Sequence, residues 1–270
     1  MPEGDTIFRT AETLRRWVGG REITGARSRV YGFPALRLVG RTVEGVEARG
    51  KHLLLRLDDG TVLHTHLRMS GSWHVYPGDR PWRRPESQAR LMLECGDRVA
   101  VCFNAPIVEL LQARAEGAHP SLGRLGPDVL ADDVDLDEVR RRARTRPPEL
   151  TVGELLLDQQ VVAGIGNIWR SEALFLEGRN PLTERQKLND DDLDALVSTA
   201  SSLMKASALG RGRGSDHWVY KRTGQPCRKC GTRIESRRQG SSSSEPERSG
   251  GETRGEQART AYWCPACQPA

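Results

Sequence analysis

The residues of this 270-residue chain that could do chemistry lie mostly toward its two ends. Near the C-terminus, Cys227-Arg-Lys-Cys230 and Cys264-Pro-Ala-Cys267 form two CxxC pairs. One such pair presents two thiolates from a tight turn, and two pairs complete a tetrahedral site for a structural Zn²⁺ ion. The 33 residues between Cys230 and Cys264 exceed the usual ribbon spacing. Most of the excess is a polar tract, and loop closure grows more costly only slowly with length. Four unconnected thiols are the plainer alternative, which the paired spacing disfavours. A zinc ribbon alone names no function.

At the other end the chain reads Met1-Pro2-Glu3-Gly4. An initiator Met before so small a residue is normally removed, which exposes the secondary amine of Pro2. An α-amino group titrates near 8, so roughly a tenth of it is neutral and nucleophilic at pH 7. A secondary amine condenses with an aldehyde to an iminium that stays cationic at any pH. That iminium is an electron sink for elimination at the neighbouring carbon, and Glu3 could move the protons. The dipeptide specifies little, and an ordinary N-terminus is its plain reading. A third feature, Gly164-Ile-Gly166-Asn167, is not a dinucleotide fingerprint, because no strand precedes it and Trp169 occupies the third glycine position. It reads equally as a phosphate cradle at a helix N-terminus or as a turn between helices.

Composition sets the context. Lys and Arg number 41 against 36 Asp and Glu, a net charge of +5 that favours polyanionic partners. No basic-then-apolar leader is visible, and no apolar run approaches the 18 or more residues of a membrane span. The cysteines then read as reduced and the protein as cytoplasmic, with Cys95 and Cys102 as small core residues.

Several elements must position these residues. Ile7, Ala11, Leu14 and Trp17/Val18 make one stripe of a helix over 6–18 with Asp5 as its cap. From 22 to 103 the pattern is that of strands. The clearest pairs are 52–57 with 61–67 across Asp58-Asp59-Gly60, and 89–94 with 98–103 across Gly96-Asp97. Helical periodicity resumes at 135–145, 151–163, 168–177 and 189–207, with Thr151 and Asn189 or Asp190 as N-caps. Gly210–Gly214 is a basic linker, and the stretch from Gly240 to Gly255 holds no apolar residue, so it is expected to be disordered.

Five blocks change the weight of the small motifs. Met1-Pro-Glu-Gly-Asp5, Arg49-Gly-Lys-His-Leu53, His66-Leu-Arg-Met-Ser-Gly-Ser-Trp73, the segment Leu157–Asn167 and the segment Arg259–Gln268 occur in this order. Together they resemble the formamidopyrimidine-DNA glycosylase and endonuclease VIII family over almost the whole chain, closest to the actinobacterial endonuclease VIII branch. The resemblance implies a multidomain α+β fold. A leading helix and β-sandwich would occupy 1–125, a helix-two-turn-helix domain 126–215, and a zinc-finger β-hairpin 216–270, with damaged DNA in the cleft between them. It implies that Pro2 is the Schiff-base nucleophile and that Glu3 is the proton donor and acceptor. Lys51, Asn167 with Gly166, and Arg259 would hold phosphates, and Met69 would fill the gap left by an extruded nucleotide. Cys227, Cys230, Cys264 and Cys267 would bind one zinc ion. No organic cofactor, membrane or second subunit is expected.

Residue by residue, Lys51 could equally be a solvated strand lysine, Met69 a core residue at a turn and Arg259 one more surface arginine. His52, His64, His66 and His74 read as structural. Asp5-Thr6 stands where family members commonly carry Pro-Glu. The Arg-Phe filler of purine-preferring members is not evident between 103 and 118, and the loop that covers an oxidised purine is reduced to about Gly210–His217. Both absences point to oxidised pyrimidines, excised by a bifunctional glycosylase and lyase acting through β,δ-elimination. A non-catalytic relative that binds abasic or gapped DNA is the alternative, and a zinc-ribbon nucleic-acid adaptor a third that leaves the N-terminus unexplained.

Overall fold

The computed structural model of the chain describes residues 2–211, 216–240 and 259–270. It contains two compact units, Met1–Gly123 and Arg124–Ala270.

The first unit opens with α1 (Gly4–Val18), which buries Ile7, Ala11, Leu14 and Val18. The helix starts two residues earlier than the periodicity suggests, so Asp5 is not its cap. Glu3 takes that position, its carbonyl accepting from Thr6 N at 2.9 Å and Ile7 N at 3.0 Å. Asp5 lies instead in the first turn, where its charge complements the helix dipole. Two antiparallel four-stranded sheets follow. One is ordered β1 (Gly25–Ser28), β6 (Ala89–Cys95), β7 (Arg98–Phe103), β5 (Ser72–Pro77). The other is ordered β2 (Val43–Arg49), β3 (His52–Leu57), β4 (Thr61–His66), β8 (Ile107–Gln112). Both expected hairpins form, with Gly60 and Gly96 at positive φ in their turns. Leu53, Leu55 and Leu63 of one sheet, Leu91, Leu93, Ala100 and Cys102 of the other, and the stripe of α1 share a single core, the layering of a sandwich. Cys95 and Cys102 are sealed within it.

The second unit gathers α2 (Leu136–Arg144), α3 (Val152–Leu155), α4 (Asn167–Leu176) and α5 (Asp190–Ala208) around one apolar core. Thr151 caps α3 in a reciprocal capping box with Glu154, and Asn189 caps α5. The helix expected over 151–163 stops at Leu155. Asp158 explains the stop: its side chain accepts from Gln160 N at 2.9 Å, an Asx turn that competes with helix. Val161, Val162, Ala163 and Ile165 are buried all the same, so their apolar pattern reports burial and not helix. The chain therefore passes from α3 to α4 through successive turns. Gln159 pins them, donating to Leu157 O and Ile165 O and accepting from Gly164 N. The hairpin β9 (Glu235–Gln239) and β10 (Arg259–Trp263) completes this unit. Apart from Gly240, the tract expected to be disordered lies outside the described residues, as does most of the basic linker.

Candidate functional site

In the first unit, Pro2 is half-buried and Glu3 is 1% exposed at the mouth of α1. A carboxylate so placed is withheld from bulk water, which suits a group that must exchange protons at a fixed point. Helix α1 packs on β2 and β3, whose connecting turn carries Lys51. The Lys51 ammonium lies close enough to His52 and His66 to oppose their protonation. Burial is the larger cause: it pulls His52 down to about 2 and His66 to about 4, so both imidazoles are neutral near pH 7. His74 is lowered too, by burial and then by Arg84 and Arg83.

Met69 is no core residue. It is 54% exposed at the apex of the β4–β5 turn. That turn is tightly built, with Gly71 N donating to Leu67 O at 2.8 Å and Arg68 at φ +45°. A Cβ on Gly71 would sit 2.5 Å from Leu67 O, so only glycine closes the turn that holds Met69 outward.

In the second unit, Gly166 is the N-cap of α4 and Asn167 its first residue, while Gly164 takes φ +103°, a backbone shape reserved for glycine. The Asn167 amide does not point into open space. Its Nδ2 donates to Thr260 O at 3.0 Å and its Oδ1 accepts from Arg170. Thr260 directly follows Arg259 at the start of β10, so the glycine turn and Arg259 meet at one strand end.

Sequence reasoning missed two buried charged residues of α4, one at this junction and one that holds the segment 218–220. Arg170 is fully buried; it donates to Gly153 O at 3.1 Å, Gln239 Oε1 at 2.9 Å and Thr260 O at 3.2 Å as well as to Asn167. One guanidinium thus joins α3, α4, β9 and β10. Glu172, 4% exposed, accepts from three consecutive amides, Trp218 N at 2.7 Å, Val219 N at 3.1 Å and Tyr220 N at 3.0 Å. Two charged residues within a largely apolar helix, Asn167–Leu176, were the available signal.

The four cysteines converge, with all Sγ atoms within 4.8 Å of one another. Cys227 and Cys267 lie 3.9 Å apart and Cys230 and Cys264 3.4 Å. Lys229 N donates to Cys227 Sγ, the amide-to-sulfur contact that stabilises a thiolate. Hydrogen bonds from Thr232 pull Cys230 down to about 6, while burial pushes Cys267 up to about 12. Four adjacent thiols resist ionising together without a cation between them, and the donor set fits a metal ion.

A helix-led sandwich, helices joined through turns and a four-cysteine hairpin define the architecture of a DNA-repair glycosylase. Residues 1–106 match the formamidopyrimidine-DNA glycosylase N-terminal domain and residues 125–217 the formamidopyrimidine-DNA glycosylase H2TH domain. The chain belongs to this family, which includes the endonuclease VIII proteins. It is 39% identical over 276 residues to a probable endonuclease 8 2 of Streptomyces coelicolor, covering 99% of this chain and 94% of that one. It is 34% identical over 277 residues to the DNA-(apurinic or apyrimidinic site) lyase Nei2 of Mycolicibacterium smegmatis, across 100% of both. A Lactococcus lactis formamidopyrimidine-DNA glycosylase structure with abasic-site DNA superposes with a TM-score of 0.80 at 22% identity, covering 99% of this chain and 100% of that one. That likeness speaks for the fold.

Proposed function

We propose that the chain removes oxidised bases, pyrimidines foremost, from damaged DNA and then cleaves the strand through a Schiff base at Pro2. The activity class, DNA glycosylase with abasic-site lyase, is that of the family to which the chain belongs. The observation that carries the mechanism is the Pro2–Glu3 pair at the start of α1, a proline that becomes a secondary amine once Met1 is removed, beside a buried carboxylate.

Once Met1 is removed, the Pro2 amine attacks the anomeric carbon and the damaged base departs; the C1′–O4′ bond then opens to leave the iminium, with Glu3 supplying the proton that O4′ takes up. The iminium then draws electrons from C2′ after loss of its proton, and the phosphate β to it leaves. A second elimination releases the other phosphate. In this reading Lys51 and Arg259 hold phosphates flanking the lesion, as Gly166 and Asn167 do through the turn before α4. Met69 occupies the space of the extruded nucleotide. The division of labour follows the sequence boundaries, with chemistry in 1–125, duplex grip in 126–215 and a zinc-held hairpin in 216–270. The metal is one structural zinc. No helix among the described residues is long and apolar enough to cross a membrane; we place the enzyme in the bacterial cytoplasm at the nucleoid, acting as a monomer without an organic cofactor.

Borohydride trapping on abasic DNA tests the nucleophile. The expected outcome is a covalent adduct that peptide mapping places on Pro2, and its loss when Met1 is retained. An adduct on Lys51 would overturn the assignment. Glu3→Gln is expected to impair base removal more than cleavage of a ready-made abasic site, since only the former breaks a glycosidic bond.

A further inference from the structure

The outer face of the second sheet carries charge that the DNA chemistry does not use. In register across β3, β4 and β8, His52 faces His66, Leu54 faces His64, and His64 faces Glu109. The segment after β8 turns back over this face, where Glu116 accepts from Arg56 at 2.5 Å and pairs with Arg49 at 3.5 Å. His119 follows on the same segment. His64 Nδ1 lies 2.7 Å from Glu109 Oε1, and His119 Nε2 lies 3.1 Å from the same oxygen. The three ligand atoms are mutually within 4.8 Å.

We propose that His64, Glu109 and His119 form a second metal site, for a borderline divalent ion such as Zn²⁺, that fastens the segment 113–122 to the sheet. Two imidazoles and one carboxylate are a donor set for Zn²⁺ and its first-row neighbours, and they leave a fourth position for water. The site is sealed on one side and open on the other: the His64 side chain is 0% exposed, that of His119 14% and that of Glu109 39%. An ion can enter past Glu109 and meet two imidazoles held by burial.

Metal-bound imidazoles need a partner for the nitrogen that does not bind the ion, and both have one. His64 Nε2 is 2.8 Å from His52 Nδ1, and His119 Nδ1 is 3.2 Å from Ser121 Oγ. Binding is therefore an exchange of tautomers. For neutral rings, each gives up the proton it shares with Glu109 and carries one on its other nitrogen, while His52 moves the proton it shares with His64 to its own Nε2. Against this, Ser121 N and Leu122 N lie 3.4 and 3.3 Å from His119 Nδ1 and favour the metal-free tautomer. The ion must displace these long contacts, so the site binds more weakly than the four-thiolate cluster.

The test is metal stoichiometry of the full-length, untagged chain, saturated with Zn²⁺, freed of excess by gel filtration and measured by plasma mass spectrometry. We expect two zinc ions per chain, the second removed by a mild chelator that leaves the first. Glu109→Gln and His119→Ala should each return the count to one. In the Co²⁺-substituted forms of both variants, the intense thiolate-to-cobalt absorption of the cysteine site should be unchanged. Glu109→Gln is nearly isosteric and keeps the test open if His119→Ala folds poorly. One zinc per wild-type chain at saturation, or a second zinc that survives both substitutions, overturns the site.

Discussion

Arg170 brings a full positive charge into the interior of the second unit, where it donates to Gly153 O, Gln239 Oε1, Asn167 Oδ1 and Thr260 O. A buried guanidinium is costly unless its donors are engaged, and here Nη1 and Nη2 divide their bonds among four elements. Arg170→Met keeps the stem and strands these acceptors. The expected cost is about 3 kcal/mol in urea unfolding, from several hydrogen bonds to a charged group. Because Thr260 adjoins Arg259, DNA affinity should fall as well, although Arg170 need not touch DNA. Arg170→Lys should recover little, since one ammonium cannot span the fork's directions. Unchanged stability in Arg170→Met would show that this junction does not hold the hairpin. The charge at 170 was visible in the sequence; what it grips was not, because Gln239 and Thr260 are remote in the chain and reach it only through the hairpin.

At the scale of elements, β9 and β10 form a two-stranded ribbon too small to hold itself in water. Its apolar support is a cluster of Phe175, Val219, Cys227, Ile234 and Cys264, and two of these five belong to the four-cysteine cluster that could hold a metal ion. Cys264→Ser is therefore expected to lose both metal and DNA binding, measured by zinc content and gel shift. Arg259→Ala should fold and keep its zinc while losing most lesion cleavage. Deletion of residues 240–255 should leave cleavage within a few-fold of wild type, because that tract carries no apolar side chain. Loss of activity on deletion with none in Arg259→Ala would invert the roles of tract and strand.

Two expectations belong to the molecule as a whole. The first is a pH dependence of folding. His52 and His66 titrate in the folded state well below their ordinary 6.5, at about 2 and about 4. The unfolded chain therefore binds more protons than the folded one between those values. The stability gained by keeping both rings neutral is complete above pH 6.5 and is lost as pH falls below it. By pH 5 the loss should approach about 2 kcal/mol for each ring. Urea midpoints that stay level between pH 7 and 5 would contradict this. The second expectation is lesion choice. Parallel nicking of duplexes should favour thymine glycol or hydroxylated uracil; preference for oxidised guanine opposite cytosine would reverse the substrate reading and leave the Pro2 mechanism standing.

Features set at short range or by residue identity are legible in the chain alone. The two sheet hairpins follow from alternation around Asp-Gly and Gly-Asp turns, and the caps at Thr151 and Asn189 from local side-chain bonding. The cysteine pairing was legible because its chemistry is set by type and spacing, whereas Pro2-Glu3 gained weight only through the resemblance that the five blocks carry together. Tertiary structure decided the rest. It ended α3 at Leu155, where a single Asx turn outweighed an apolar periodicity that burial alone could satisfy. It turned Met69 outward through the tight turn at Gly71, and directed the Asn167 amide to Thr260. It also paired His64 with Glu109 and laid His119 across them. Each of these depends on which distant backbone comes near, and local pattern carries no record of that.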